Sequence, residues 1–105
     1  MFQIIQESQA KIKVDTGQIS KQLQVFYNPL MKINRDLSLL LLNSLPKNQL
    51  RICDPLAGSG IRSIRFLLEL NPKKIKSLII NDYDKKSVQI INSNLKINFN
   101  LNQKD

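Results

Sequence analysis

Histidine and tryptophan are absent from this sequence of 105 residues, and cysteine occurs once, at Cys53. A single cysteine excludes an internal disulfide, and without histidine the chain cannot form a Cys/His zinc site or use a histidine general base. We therefore expect no metal site. We interpret Cys53 as a small apolar side chain that is buried on a strand, not as a nucleophile.

Long apolar runs are also missing. The longest apolar cluster, Leu39 to Leu42, falls far short of the roughly 20 residues that span a bilayer, so we expect no membrane partner. The first residues, MFQIIQESQAKIK, show neither an apolar signal core nor a small-residue cleavage site. This predicts an intracellular protein, with a cytoplasmic location or, in a eukaryote, a nuclear one.

Positive charge, in contrast, is abundant. Lysine and arginine number 16 against 8 aspartates and glutamates, for a formal net charge of +8. Such an excess favours a polyanionic partner, nucleic acid above all, through long-range attraction. A solvated basic face would carry the same surplus, and charge alone does not distinguish the two.

The first 48 residues predict a strand or hairpin followed by a helix. The letters FQIIQESQAKIKV alternate loosely between apolar and polar, which is typical of strands. Asn28 is a good N-cap and Pro29 suits the first helical position, so a helix is predicted from Pro29 to about Leu45. Its apolar residues recur at steps of three and four: Leu30, Ile33, Leu37, Leu40 and Leu41.

Residues 49–105 read as β-α-β-α. The strands are LRICD and SLIIND, and the helices are IRSIRFLLEL and the segment from Lys85 to Phe99. Apolar strands that alternate with amphipathic helices predict an α/β fold, in which parallel strands pack against helices.

The segment DPLAGSGIRSIR follows the first of these strands and is the densest in functional residue types. Asp54 ends the strand, and Gly58 and Gly60 permit a tight turn and a close ligand approach. It lacks the Gly-Lys-Ser/Thr of a P-loop, and Ser63 stands where a dinucleotide motif would have its third glycine. A nucleotide triphosphate or a dinucleotide is therefore not the predicted ligand.

Two further residues narrow the choice of ligand. Asp82, at the end of the next strand, can accept hydrogen bonds from ribose hydroxyls, and Arg62 can hold a carboxylate. A ligand with a ribose, a base and a free amino-acid carboxylate, but no phosphate, would use all of these groups. S-adenosylmethionine is such a ligand. We interpret Arg65, one helical turn on, as a solvated residue of the helix face.

Four stretches of the chain resemble the family of tRNA (guanine-26-N2)-dimethyltransferases, which are class I enzymes that use S-adenosylmethionine. The stretches are ESQAKIKV, VFYNPLMKINRDLSLLLL, DPLAGSGIRSIRFLLEL and NDYDKKSVQIINSNLKIN. The resemblance implies a Rossmann-like methyltransferase fold, S-adenosylmethionine as cofactor, tRNA as partner, and methyl transfer to the exocyclic N2 of guanosine 26. It also implies that Arg35 and Arg62 contact the methionine end of the cofactor and that Asp82 contacts its ribose. Phe26 and Asn28 would shape the cofactor or base pocket.

Members of this family are several times longer than 105 residues. The resemblance therefore implies an amino-terminal, cofactor-binding portion of a methyltransferase domain, with residues 1–48 forming the first strand and helix and residues 49–105 the cofactor-binding half. The catalytic residues would lie beyond residue 105. Because the strand at Leu50 to Cys53 would sit in mid-sheet, its bare edge predicts self-association or a second polypeptide that carries the remaining strands.

Two other hypotheses stay open. DPLAGSG also resembles the glycine loop of DNA amino-methyltransferases, although the following Ile61 and Arg62 argue against that group. A non-enzymatic basic module that binds nucleic acid would ignore S-adenosylmethionine and lose affinity steeply with salt.

Overall fold

The computed structural model describes residues 2–15 and 27–99. In chain order the elements are β1 (Phe2–Glu7), β2 (Ala10–Asp15), a 3-10 turn (Pro29–Met31) that leads into α1 (Lys32–Ser44), β3 (Leu50–Asp54), α2 (Ile61–Glu69), a 3-10 turn (Pro72–Lys74), β4 (Ile75–Ile80) and α3 (Lys85–Phe99). The structure confirms the predicted hairpin, the capped helix and the β-α-β-α order. None of the helices in the described ranges has the length and apolar character needed to cross a membrane.

The strands form two separate pairs. β1 and β2 are antiparallel, with Glu7 opposite Ala10 across a two-residue turn. β3 and β4 are parallel, and Asp54 lies opposite Ile80 at their carboxyl ends. A parallel pair needs a crossover connection, which α2 supplies. The predicted α/β architecture with parallel strands is therefore present.

The 3-10 turn that leads into α1 begins, and α1 ends, where local chemistry requires. The side chain of Asn28 accepts a hydrogen bond of 2.9 Å from the Leu30 amide, and the chain becomes extended at Leu45, just before a proline. The buried face of α1, however, carries Arg35 and Leu39. The leucine-rich stripe that predicted this helix is exposed within the described part of the chain, and Leu40 retains 64% of its accessible surface.

Helix α2 lies between two apolar clusters. On one side Ile61 and Ile64 pack against Ala10 and Ile12 of β2. On the other side Phe66 packs with Leu39 of α1 and with side chains of β3 and β4. The hairpin and the parallel pair therefore share α2 as their common core element.

Two asparagines of α3 bind the outer edge of the hairpin. The carboxamide oxygens of Asn94 and Asn98 each accept a 2.8 Å hydrogen bond from a β2 amide, those of Lys13 and Lys11. Asn94 is fully buried, and its nitrogen donates to the backbone oxygen of Ser59 at 2.9 Å. This side chain links the hairpin to the glycine loop, which fixes the loop from behind.

The predicted burial of Cys53 is wrong, because the thiol is exposed. Along β3, Ile52 faces the helices, whereas Arg51 and Cys53 point to the opposite face of the sheet. Ile79 of β4 shares that face and is 62% exposed. Within the described ranges no element covers this face, and a strand's apolar letters cannot show whether both of its faces are covered.

Candidate functional site

A cavity of about 360 Å³ opens at the carboxyl ends of β3 and β4. Its lining residues come from the start of α1, the ends of both strands and the glycine loop: Tyr27, Asn28, Met31, Arg35, Asp54, Leu56, Ala57, Gly58, Ser59, Ile61, Arg62 and Asp82. Ligands of open α/β sheets bind at this edge, and the volume lies within the usual range for small-molecule sites. Leu56 is 82% exposed at the rim.

The glycine loop takes backbone conformations that its glycines permit. Gly58 and Gly60 have φ values of 58° and 84°, in the left-handed region that other residues rarely adopt. The Gly58 amide donates a 2.9 Å hydrogen bond to Oδ2 of Asp82. Gly58 lines the cavity, whereas Gly60 is buried behind the loop, where an added Cβ would lie 3.4 Å from Ile91 Cγ1.

The two predicted carboxylates both line the cavity and are held by neutral donors. Ser63 Oγ donates to Oδ2 of Asp54 at 2.7 Å. Asp82 accepts from the backbone amides of Gly58 and Asp84, at 2.9 and 3.0 Å. Among the described residues neither carboxylate forms an ion pair, so no positively charged side chain there neutralises either of them.

Arg62 faces the same cavity from the first turn of α2. Its Nη1 donates to Ser38 Oγ at 2.5 Å, and its Nη2 donates to Asn34 Oδ1 at 2.7 Å. Both partners are neutral side chains of α1, one helical turn apart. They hold the guanidinium in place without neutralising it, which leaves a positive charge at the cavity wall.

Arg35 also lines the cavity, but it is buried and ion-paired. Its Nε and Nη2 donate to the two carboxylate oxygens of Glu7 at 2.7 and 2.6 Å, in a bidentate arrangement. Nη2 also donates to the backbone oxygen of Asn28 at 3.0 Å. The guanidinium carbon lies 5.1 Å from the centre of the Tyr27 ring, within cation-π range.

The prediction that Arg65 is solvated is wrong. Arg65 is 3% exposed and donates through Nε and Nη2 to both oxygens of Glu69, at 2.9 and 3.0 Å. Its Nη1 contacts Glu7 at 3.1 Å and Asp36 at 2.7 Å. We call Glu7, Arg35, Asp36, Arg65 and Glu69 the buried ion network. It joins the hairpin, α1 and α2.

The three carboxyl groups of this network have pKa values below their ordinary values. Burial raises the pKa of Glu7, but hydrogen bonds from Arg35 and Tyr27 outweigh burial and leave that pKa below its ordinary value. The pKa of Glu69 is likewise lowered, because hydrogen bonds from Arg65 and Ser8 exceed the effect of burial. The hydrogen bond with Glu69 raises the pKa of Arg65, and burial raises that of the Tyr27 hydroxyl.

The structure thus brings five of the six predicted cofactor residues to one cavity and places the sixth, Gly60, directly behind it. Asn28 both caps the 3-10 turn before α1 and lines the cavity, whereas Phe26 lies outside the described residues. Tyr27 and the network partner Glu7 were not predicted. Both lie in stretches that carry the family resemblance, but the sequence gives no sign that they meet.

A loop of positive-φ glycines between parallel strands, with a carboxylate at the end of each strand, places this chain in the α/β class, whose ligands bind at that edge of the sheet. Comparison with known proteins identifies the family. Residues 3–104 match the family described as N2,N2-dimethylguanosine tRNA methyltransferase, and the chain belongs to this family.

Individual relatives agree with that assignment. The chain is 42% identical over 102 residues to the tRNA (guanine(26)-N(2)/guanine(27)-N(2))-dimethyltransferase of Aquifex aeolicus, covering 92% of this chain and 26% of the relative. It is 47% identical over 74 residues to the tRNA (guanine(26)-N(2))-dimethyltransferase of Pyrobaculum aerophilum, covering 70% and 20%. A Methanococcus maripaludis enzyme of the same name is 38% identical over 102 residues, covering 92% and 27%. The matched segments therefore span about a quarter or less of these relatives.

Proposed function

We propose that this chain is the S-adenosylmethionine-binding portion of a tRNA (guanine(26)-N2)-dimethyltransferase, with a partial class I methyltransferase fold. Family membership and the relatives' names support the reaction class. The observation that carries the cofactor assignment is the cavity, where Asp54, Arg62 and Asp82 keep unpaired charges beside the glycine loop. A tRNA substrate fits the net charge of +8 and an intracellular location.

The charges suit a ligand that is itself zwitterionic. Arg62 and Arg35 would bind the carboxylate of the amino-acid part, and Asp54 would attract its ammonium group. Asp82 would accept hydrogen bonds from the ribose hydroxyls, since each of its oxygens has a lone pair beyond its present backbone bond. When bound, S-adenosylmethionine supplies a methyl group on a positively charged sulfur, which an amine nitrogen can attack.

Methyl transfer to an exocyclic amine requires the nitrogen to be held in line with the sulfur-methyl bond and its proton to be accepted nearby. We infer that the groups that hold guanine belong to the portion of the family that this chain does not match. The open edge of β3, which pairs only with β4 among the described strands, and the exposed stripe of α1 support association with further polypeptide, either a second copy or a partner with the remaining strands.

Calorimetric titration with S-adenosylhomocysteine tests the proposed function. The chain should bind this ligand and ignore NAD, and Asp82→Ala should weaken binding by about 1–3 kcal/mol, the penalty for unpaired polar groups. Circular dichroism would confirm that both proteins are folded. A folded chain with no affinity for S-adenosylhomocysteine would refute the cofactor assignment and favour the basic nucleic-acid module. Undiminished binding by Asp82→Ala would refute the ribose contact alone.

A further inference from the structure

Glu7 occupies an unusual position for a hairpin residue. Its side chain is 1% exposed and is not among the residues that line the cavity. Its carboxylate nevertheless accepts four hydrogen bonds from three residues, two of which line the cavity. Tyr27 Oη and Arg35 Nη2 donate to Oε1 at 2.7 and 2.6 Å, and Arg35 Nε and Arg65 Nη1 donate to Oε2 at 2.7 and 3.1 Å.

The bidentate pairing with Glu7 determines which guanidinium nitrogen of Arg35 remains for a ligand. Nε and Nη2 are bound to Glu7 and to the backbone of Asn28, and within the described ranges Nη1 makes no hydrogen bond. No buried side-chain nitrogen in those ranges lacks a partner, so Nη1 must reach solvent. Arg35 lines the cavity, so Nη1 is the guanidinium nitrogen that a ligand there could use.

The two arginines depend on Glu7 to different degrees. Arg65 has two further carboxylate partners, Glu69 at 2.9 Å and Asp36 at 2.7 Å. Arg35 has Glu7 as its single carboxylate partner among the described residues. Removing the charge of Glu7 would therefore leave Arg65 paired with two carboxylates but Arg35 with none among the described residues, and the two guanidinium groups would lose the anion that they share.

We propose that Glu7 is a positioning residue, which orients Arg35 so that Nη1 faces the carboxylate of the cofactor's amino-acid part. The inference rests on the proposed function and deepens it, because it assigns the hairpin a part in cofactor selection without ligand contact. The effect should be confined to ligands that carry the amino-acid carboxylate.

The test compares the affinities of each protein variant for two ligands. S-adenosylhomocysteine carries the amino-acid part, and 5′-methylthioadenosine lacks it. In Glu7→Gln we expect the affinity for S-adenosylhomocysteine to fall about tenfold, as for a lost hydrogen bond to a charged group, while that for 5′-methylthioadenosine stays within about twofold. Glu7→Asp keeps the charge and should restore part of the loss.

Glu69→Gln is the matched control. It removes a carboxylate from the same network, but Glu69 contacts Arg65 and not Arg35. It should lower the melting temperature and leave the affinity for both ligands unchanged. If Glu7→Gln does not fold, Glu7→Asp replaces it in the comparison, and its smaller loss should again be confined to S-adenosylhomocysteine.

Four outcomes would contradict the inference. If Glu7→Gln loses affinity equally for both ligands, Glu7 only stabilises the fold. The same conclusion follows if Glu7→Gln loses affinity for S-adenosylhomocysteine alone but Glu69→Gln shows the same selective loss. Unchanged affinity for both ligands in a folded Glu7→Gln would mean that Arg35 does not depend on it. If the unsubstituted chain binds neither ligand, the proposed function itself fails, and the positioning role fails with it.

Discussion

The buried ion network and the cavity are both built from acids and arginines, yet they satisfy their charges in opposite ways. In the network each guanidinium meets a carboxylate, and Arg65 meets three. In the cavity Asp54, Arg62 and Asp82 are held by hydroxyl, amide and backbone groups, which orient a charge without cancelling it. Arg35 belongs to both. The difference suggests that the network holds the fold together and that the cavity charges are reserved for a ligand.

The largest expected effect distinguishes two arginines that are three residues apart on α2. Arg65→Met would leave Glu7 and Glu69 with fewer partners in a buried setting, so we expect the free energy of unfolding to fall by about 3–5 kcal/mol. Arg62→Met, in contrast, removes hydrogen bonds to neutral partners at a half-buried site and should cost about 1 kcal/mol. Urea denaturation measures both values. Comparable losses in the two variants would contradict the division between network and cavity.

A smaller effect should appear in ligand binding. Arg62→Met should weaken the binding of S-adenosylhomocysteine by about 1.5–3 kcal/mol, because an interaction between a guanidinium and a carboxylate is lost. The affinity for 5′-methylthioadenosine should change little, since that ligand has no carboxylate. Isothermal titration with the two ligands checks this directly. If both affinities fall equally, Arg62 shapes the cavity and does not bind the amino-acid part.

The third effect is confined to acid pH. The pKa values of Glu7 and Glu69 lie below their ordinary value of 4.5 in the folded chain, so the unfolded chain binds protons first as the pH falls. Their contribution to stability is therefore complete above about pH 4.5 and is lost as the pH falls through the folded-state values. The free energy of unfolding, measured by urea denaturation from pH 7 to pH 3, should change little down to pH 5 and decline below it. Glu69→Gln should flatten this decline, and stability that rises on acidification would contradict the assignment.

Much of the fold could be predicted because its signals are local. The Asn28-Pro29 pair marks the start of a helix, and the carboxyl ends of parallel strands must meet at one edge, which brings Asp54 and Asp82 together. Arg35 was reached only through the family resemblance, because nothing in its own helix distinguishes it from a surface arginine.

The remaining features depend on contacts between distant segments. Arg65 is buried because Glu7, 58 residues earlier in the chain, lies against it, and no local pattern encodes that meeting. Cys53 is exposed because the face of β3 that carries it is uncovered in the described structure. Periodicity predicted the α1 helix correctly but gave no information about what its leucine stripe contacts.

The measurement that most directly tests the central claim is a titration of the ¹⁵N-labelled chain with S-adenosylhomocysteine, followed by nuclear magnetic resonance. The claim predicts that the largest shifts fall on the amides of Ala57, Gly58 and Asp82 and on the side chains of Arg62 and Arg35, with little change at the bare face around Cys53. Shifts centred on that bare face, or no shifts from a folded chain at saturating ligand, would contradict it.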